Sequence, residues 1–200
     1  MLVELGPGTL PKQGVVVGID LHHPVNSPNQ NAAETPWIVS KGSPNSKKFW
    51  SDERESHYIL EAESVDEVYA SHFMEHIHRG QPLINVMNEA HRILKPGGVF
   101  TMIMPLVGYT NPYSGAPESN HIGWQPWSDP THVNYWWFPE ALWYFCEGPF
   151  QPNADYGVKM WGPCGPYLEG QALEDALRDG VKTFWGVRNG WEGVARLQRP

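Results

Sequence analysis

The chain has 200 residues and a mass of 22.6 kDa, a length that predicts a single domain with one hydrophobic core. Only 18% of its residues are charged, and it contains 20 Gly, 19 Pro and 10 Trp. This composition excludes a coiled coil and a highly charged disordered chain, and it predicts long loops. The net charge of −8 disfavours nucleic acid as a partner, because an acidic surface repels the phosphate backbone.

The first predicted elements are two buried parallel strands. The apolar run LVEL at residues 2–5 and the β-branched run VVVGID at residues 15–20 flank a turn rich in Gly and Pro. Residues 21–55 have no hydrophobic period and are predicted to be mostly loop, with a short strand at residues 37–39.

The middle of the chain predicts a strand, a helix and a second strand. Residues 65–71 form the first strand, and residues 81–95 place apolar side chains at helical spacing before the breaker Pro96-Gly97-Gly98. An apolar strand follows at residues 99–104, and a unit of this length is typical of a parallel crossover. We therefore expect an α/β fold.

The second half is predicted to contain fewer regular elements. A long loop is expected at residues 106–134 and is typical of a functional segment. It is followed by a short helix at 139–146, a strand at 156–161, a helix at 171–178 and a final strand at 193–198.

Cellular context is predicted from what the sequence lacks. The most apolar stretch, residues 99–107, is about half as long as a membrane span, and the first residues do not resemble a signal peptide. With only Cys146 and Cys164, a reducing cytoplasm is the expected compartment. We expect a soluble cytoplasmic protein, and the sequence leaves its oligomeric state open.

A glycine-rich turn after the first strand is the first candidate site. Gly6 and Gly8 follow Glu4, and Asp20 closes the next strand. Glycines let a backbone approach a ligand closely, and an acid at the next strand end can accept hydrogen bonds from both ribose hydroxyls. The pattern favours a nucleoside-containing cofactor, although an ordinary tight turn has the same residues.

Further motifs extend this pattern along the chain. VELGPGT, GID, SVDEVYASHFMEHI and LINVMNEAHRILKPGGVFTMIMP appear in this order, and EAHRILKPGGVF is the most specific of them. Together they resemble the class I S-adenosylmethionine-dependent methyltransferases, and methyltransferase type 11 in particular. The resemblance implies a three-layer α/β sandwich with a mostly parallel seven-stranded sheet, the Rossmann-like methyltransferase fold.

The resemblance also implies the cofactor S-adenosyl-L-methionine and the residues that bind it. Glu4, Gly6 and Gly8 match the acidic glycine-rich motif, and Asp20 matches the ribose-binding acid. Ala70 and Ser71 match the strand end beside the methionine moiety. The adenine-binding acid is left open among residues 52, 61 and 63. The expected function is methyl transfer to a small-molecule acceptor.

A departure from the family pattern motivates an alternative without catalysis. Asp20 follows Glu4 after fewer residues than a nucleotide fingerprint has, so the first crossover helix is expected to be very short or missing. A chain that keeps the fold as a binding or assembly module would show the same shortening, because a fold does not guarantee chemistry.

Histidines supply the candidate catalytic groups. His72 and His132 could each accept a proton from the acceptor during transfer. The string His72-Phe73-Met74-Glu75-His76 also matches the H-x-x-E-H zinc pattern, which would indicate a metal hydrolase. Because no third ligand is indicated and the string directly follows a strand, a structural role is favoured and no metal ligand is predicted.

An aromatic stretch at residues 121–143 lies where the resemblance places substrate-selecting elements. Aromatic side chains there could surround a planar or cationic acceptor, and packing of the loop against the sheet is the alternative. The aromatic residues with His132 in this stretch are Trp124, Trp127, Tyr135, Trp136 and Trp137.

Overall fold

The computed structural model describes residues 1–6, 17–19, 38–40, 57–106, 132–134, 136, 140–147 and 157–200. Its strands are β1 (Leu2–Leu5), β2 (Val17–Ile19), β3 (Ile38–Ser40), β4 (His57–Ile59), β5 (Val65–Ser71), β6 (Leu94–Pro105), β7 (Tyr167–Glu169), β8 (Phe184–Arg188) and β9 (Glu192–Gln198). Its helices are α1 (Gln81–Ile93), α2 (Glu140–Trp143) and α3 (Gly170–Arg178), with a 3₁₀ turn at Met74–His76.

Seven of these strands form one sheet in the order β2-β1-β5-β6-β9-β8-β7. All neighbours pair in parallel except β9, which runs antiparallel to both β6 and β8. The expected mostly parallel seven-stranded sheet is therefore confirmed. Strands β3 and β4 pair separately as an antiparallel two-stranded sheet.

The two faces of the large sheet are covered by different helices. Along β6, Phe100 and Met102 pack in the cluster that contains the apolar side of α1, whereas Ile103 packs with Leu173 of α3. Successive side chains of a strand point to opposite faces, so the helices lie on opposite sides of β6. This arrangement is the predicted three-layer sandwich.

Helix α1 forms where the apolar spacing predicts it. Its buried side chains include Val86, Met87, Ala90 and Ile93, which repeat at helical spacing. The helix ends at Ile93 rather than at residue 95, and β6 begins directly at Leu94. The glycine-rich segment lies inside β6, where the pairing with β5 shifts register between Val65 and Glu67.

Several predictions for the second half differ from the structure. The predicted helix at 139–146 is the shorter α2, and the described part of the predicted strand at 156–161 contains only an isolated bridge between Trp161 and Cys146. The sequence does not predict strands β7 and β8, because β7 is only three residues long and the sequence of β8, FWGVR, does not alternate between apolar and polar residues. No helix among the described residues is long and apolar enough to cross a membrane.

Candidate functional site

The carboxyl ends of β1, β2 and β5 meet at one edge of the sheet. Leu5 pairs with Ile19 of β2 on one side and with Ala70 of β5 on the other, and all three strands are parallel. Gly6 and Ser71 therefore lie at the same edge. In open α/β sheets this is the edge that binds ligands.

The structure places the predicted cofactor residues in three groups. Gly6, Ala70 and Ser71 lie together at this edge, whereas Glu4 is buried within β1, level with Tyr69 of β5. Gly8 and Asp20 lie outside the described residues. The two strands that precede them are adjacent in one sheet, as the predicted shared nucleoside site requires.

Two candidates for the adenine-binding acid are excluded by their position. Residues 61 and 63 precede β5, at its amino end, and Glu63 forms an ion pair with Arg199. A seven-residue strand is about 20 Å long, so these carboxylates lie far from the edge that carries Ser71. Asp52, the third candidate, lies outside the described residues.

Gly6 has a packing role of its own. Its φ of +67° is in the left-handed region, and a Cβ there would lie 2.4 Å from Cδ2 of Phe73. The side chain of Phe73 is buried in the core under this turn. Glycine at position 6 is thus required by the backbone and by Phe73, independently of any ligand.

His72 follows β5 and joins it to the β8–β9 hairpin. Its φ of 51° turns the chain, and its backbone N–H donates to the carbonyl of Ile103 at 2.8 Å. The ring Nε2 lies 2.9 Å from Oε1 of Glu192, and Nδ1 lies 3.5 Å from Oε1 of Glu75.

These two carboxylates set the charge of the His72 imidazole. The hydrogen bond with Glu192, and then the interaction with Glu75, outweigh burial and raise the pKa of His72 to about 9. Burial raises the pKa of Glu192, but hydrogen bonds from His72 and Arg188 lower it overall, to about 2. The site favours an ion pair at neutral pH. A proton-accepting role for His72 needs the neutral imidazole, which this arrangement disfavours.

A second cluster lies directly beside His72. Glu75, His76 and His132 each offer one ligand atom, and these atoms all lie within 4.8 Å of one another. Glu75 is 1% exposed, and neither carboxylate oxygen has a hydrogen-bond partner among the described residues. His132 thus lies beside the segment that follows β5. The sequence alone does not predict this contact.

Similarity to known proteins covers the part of the chain that contains β5, α1 and most of β6. Residues 8–102 match the family model described as a methyltransferase domain. This is the family that the sequence motifs resemble. The domain match includes Gly8, Asp20, Ala70, Ser71 and His72, so most of the candidate site lies within it.

Comparison with solved structures and curated proteins adds two findings. It is similar to a chain from the complex between the Haloferax volcanii Trm112 methyltransferase activator and a candidate methyltransferase. That match has 14% identity and a TM-score of 0.47, and it covers 100% of this chain and 81% of that chain. No curated protein matches the chain significantly.

The predicted acceptor-binding aromatics fall mostly outside the described residues. Among these aromatic residues, the structure describes Trp136, which is a core residue with 1% exposure. Its backbone forms an isolated β-bridge with Leu106, and its Nε1 donates a hydrogen bond to the carbonyl of Met74 at 3.5 Å. Trp136 therefore packs within the hydrophobic core. Trp124, Trp127, Tyr135 and Trp137 lie outside the described part of the chain.

Proposed function

We propose that the chain is an S-adenosyl-L-methionine-dependent methyltransferase that acts on a small-molecule acceptor. One observation carries the proposal: the parallel strands β2, β1 and β5 are adjacent, and their carboxyl ends bring Ile19, Gly6 and Ser71 to one edge. Asp20 directly follows Ile19 in the sequence. The match to a methyltransferase domain supports the same conclusion.

The residues at this edge fit the proposed ligand. The left-handed turn at Gly6 leaves a strand end without a side chain, and Ser71 is half-buried at the neighbouring strand end. By resemblance to the family, Gly6 and Gly8 would line the nucleoside, Asp20 would bind the ribose hydroxyls, and Ala70 and Ser71 would lie beside the methionine part. Glu4, buried in β1, would support the turn from within the strand.

The reaction requires orientation more than covalent help. When bound, S-adenosyl-L-methionine supplies a methyl group on a sulfonium, and the sulfur keeps the electron pair as the bond to carbon breaks. The acceptor atom forms the new bond to carbon and releases a proton to solvent or to a nearby base. The chain contributes by holding the two reactants in line. That His132 accepts this proton stays a prediction.

The charge of the chain supports a small acceptor. With a net charge of −8, the surface repels nucleic acid, whereas a metabolite needs only the local polarity of the cleft. The identity of the acceptor atom does not enter the proposal.

Calorimetric titration with S-adenosylhomocysteine tests the proposal. Saturable binding is expected, and Asp20→Ala is expected to weaken it about 10- to 100-fold, the loss expected for hydrogen bonds to a charged group. Asp175→Ala is the matched control, because Asp175 is a half-buried aspartate on α3, and it should leave affinity unchanged.

Two results would overturn the proposal. Absence of binding at millimolar ligand would leave the alternative, a methyltransferase-fold module without catalysis. Equal affinity of wild type and Asp20→Ala would show that the ligand binds elsewhere than at the edge formed by β1, β2 and β5.

A further inference from the structure

We propose that Glu75, His76 and His132 bind a divalent transition-metal ion of the zinc class. The three residues come from two segments: the 3₁₀ turn Met74–His76 after β5, and the segment 132–134. The inference rests on the geometry of these side chains and does not require methyl transfer.

The carboxylate of Glu75 is the strongest reason to expect a cation. It is 1% exposed, and both oxygens are fully buried without a hydrogen-bond partner among the described residues. Its close neighbours are ring nitrogens: Nδ1 of His72 at 3.5 Å and Nε2 of His132 at 3.9 Å. An ionised carboxylate in such a place is costly unless it is paired or coordinates a metal. His72 offsets this cost only in part, because its ring also pairs with Glu192, and a bound cation would satisfy the carboxylate.

The distances between donor atoms suit a small coordination sphere. Tetrahedral zinc with bonds of about 2.0–2.2 Å keeps its ligand atoms roughly 3.4 Å apart. The three atoms here lie within 4.8 Å of one another, so side-chain rotations that move them by about an ångström would bring them to the ligand spacing of tetrahedral zinc. The rings of His76 and His132 already meet edge to face, with centroids 4.8 Å apart.

The backbone holds the two segments in place for such a site. The N–H groups of Val133 and Asn134 both donate to the carbonyl of Glu75 at 2.9 Å. Asn134 also accepts a hydrogen bond from Nε of Arg79 at 3.0 Å. The ligand from the second segment is therefore fixed beside the first without the metal.

The donor set selects the class of metal. Two imidazoles and one carboxylate suit zinc and similar first-row ions, whereas magnesium and calcium prefer oxygen ligands alone. Three protein ligands leave a fourth position for water or another ligand.

The ligand set differs from the one that the H-x-x-E-H string suggests. That pattern would pair His72 with His76 across one turn of an α-helix, with Glu75 as a base. Here Met74–His76 is a 3₁₀ turn, and Nε2 of His72 lies 2.9 Å from Glu192 instead. Glu75 itself becomes a ligand, and His132, 56 residues after His76 in the sequence, completes the set.

Titration of the chelator-treated, tag-free chain with Zn²⁺ and Co²⁺ tests the site without S-adenosyl ligands. We expect one equivalent to bind, and Co²⁺ to give the visible absorption of a tetrahedral centre. Glu75→Gln, His76→Ala and His132→Ala should each weaken Zn²⁺ binding at least about 10- to 100-fold, the loss that even an outer-shell substitution causes. His78→Ala is the control, because His78 is close in sequence but exposed, and it should leave affinity unchanged.

Thermal unfolding separates loss of the ligand from loss of the fold. Metal-free Glu75→Gln should melt no lower than metal-free wild type, because it removes a buried charge, but Zn²⁺ should no longer raise its melting temperature. Unchanged Zn²⁺ affinity in Glu75→Gln, or an equal loss in His78→Ala, would overturn the site in favour of adventitious surface binding. Failure of zinc binding with intact S-adenosylhomocysteine binding would refute this site and leave the proposed function standing.

Discussion

Gly6 is required at the candidate site both by its backbone angle φ and by the packing of Phe73. Its left-handed φ and its contact with Phe73 are separate reasons for glycine, and Gly180, which follows the end of α3, offers a comparison that isolates one of them. Gly180 has a φ of +73°, but a Cβ there would meet nothing within 4 Å.

We therefore expect Gly6→Ala to destabilise more than Gly180→Ala. The left-handed backbone alone should cost about 1–2 kcal/mol in either variant. The clash with Phe73 should add about 1–3 kcal/mol for Gly6→Ala. Urea unfolding of both variants measures the difference, and equal losses would show that Phe73 moves aside freely.

The ion pair between His72 and Glu192 gives the second residue-scale prediction. The folded-state pKa of His72 is raised from 6.5 to about 9, so its contribution to stability is complete below pH 6.5 and is lost as pH rises through 9. The pKa of Glu192 is lowered from 4.5 to about 2, so its contribution is present above pH 4.5 and is lost as pH falls through 2.

Glu192→Gln should therefore cost most between about pH 4.5 and 6.5, where both contributions are complete. Because the side chain of His72 is 43% exposed, solvent screens the pair, and we expect the pH-dependent part to be about 1 kcal/mol at most. Chemical denaturation of the metal-free protein across this range measures it. Glu174→Gln, on the exposed side of α3, is the control. A difference from wild type that stays constant with pH would contradict the assignment.

At the scale of elements, a network of polar side chains connects β9 to β6 and β5. Nε of Arg196 donates to the hydroxyl of Thr101 at 3.1 Å, and that hydroxyl donates to Glu67 at 3.1 Å. Arg196 is buried, and burial lowers its pKa although nearby Glu67 opposes this. Its Nη1 also donates to the carbonyl of Val181 at 2.9 Å.

Thr101→Val keeps the shape of the side chain and removes the bridging hydroxyl. We expect a loss of about 1–3 kcal/mol, because the buried Nε of Arg196 is left without this acceptor. A double-mutant cycle with Arg196→Met should show a coupling of at least about 0.5 kcal/mol. Strict additivity in urea unfolding would show that the hydroxyl does not connect β6 to β9.

The elements that the sequence predicted best are those buried on both sides or amphipathic at helical spacing. Strand β5 was predicted with the observed bounds, and α1 and β6 were predicted to within a few residues at each end apart from the glycine-rich start of β6. Strand β7 has three residues and lies at an edge of the sheet, where pairing with β8 rather than its own pattern makes it a strand.

For the whole molecule, the sheet contains strands from both ends of the sequence. Strand β1 (Leu2–Leu5) and strand β9 (Glu192–Gln198) are separated in it only by β5 and β6. The ends of the chain therefore share one hydrophobic core, which contains both Val3 and Leu197. That the whole chain forms a single domain stays a prediction.

We expect unfolding of the whole chain to be one cooperative transition. Eight of the ten tryptophans lie beyond residue 120, so their fluorescence reports mainly on the second half, whereas far-ultraviolet circular dichroism reports on all elements. Coincident thermal transitions by the two probes are expected. Two resolved transitions would show that the chain divides into separately folding parts.

Local sequence patterns are enough to predict the α/β class, the central strands, α1 and the methyltransferase resemblance. Those features depend on residues close together in the sequence, which form apolar runs, helical spacings and glycine-rich turns. Only the tertiary structure placed His132 beside Glu75 and joined His72 to Glu192, its partner 120 residues away. Such contacts arise because parallel strands bring their carboxyl ends to one edge, and no local pattern specifies which distant side chain arrives there.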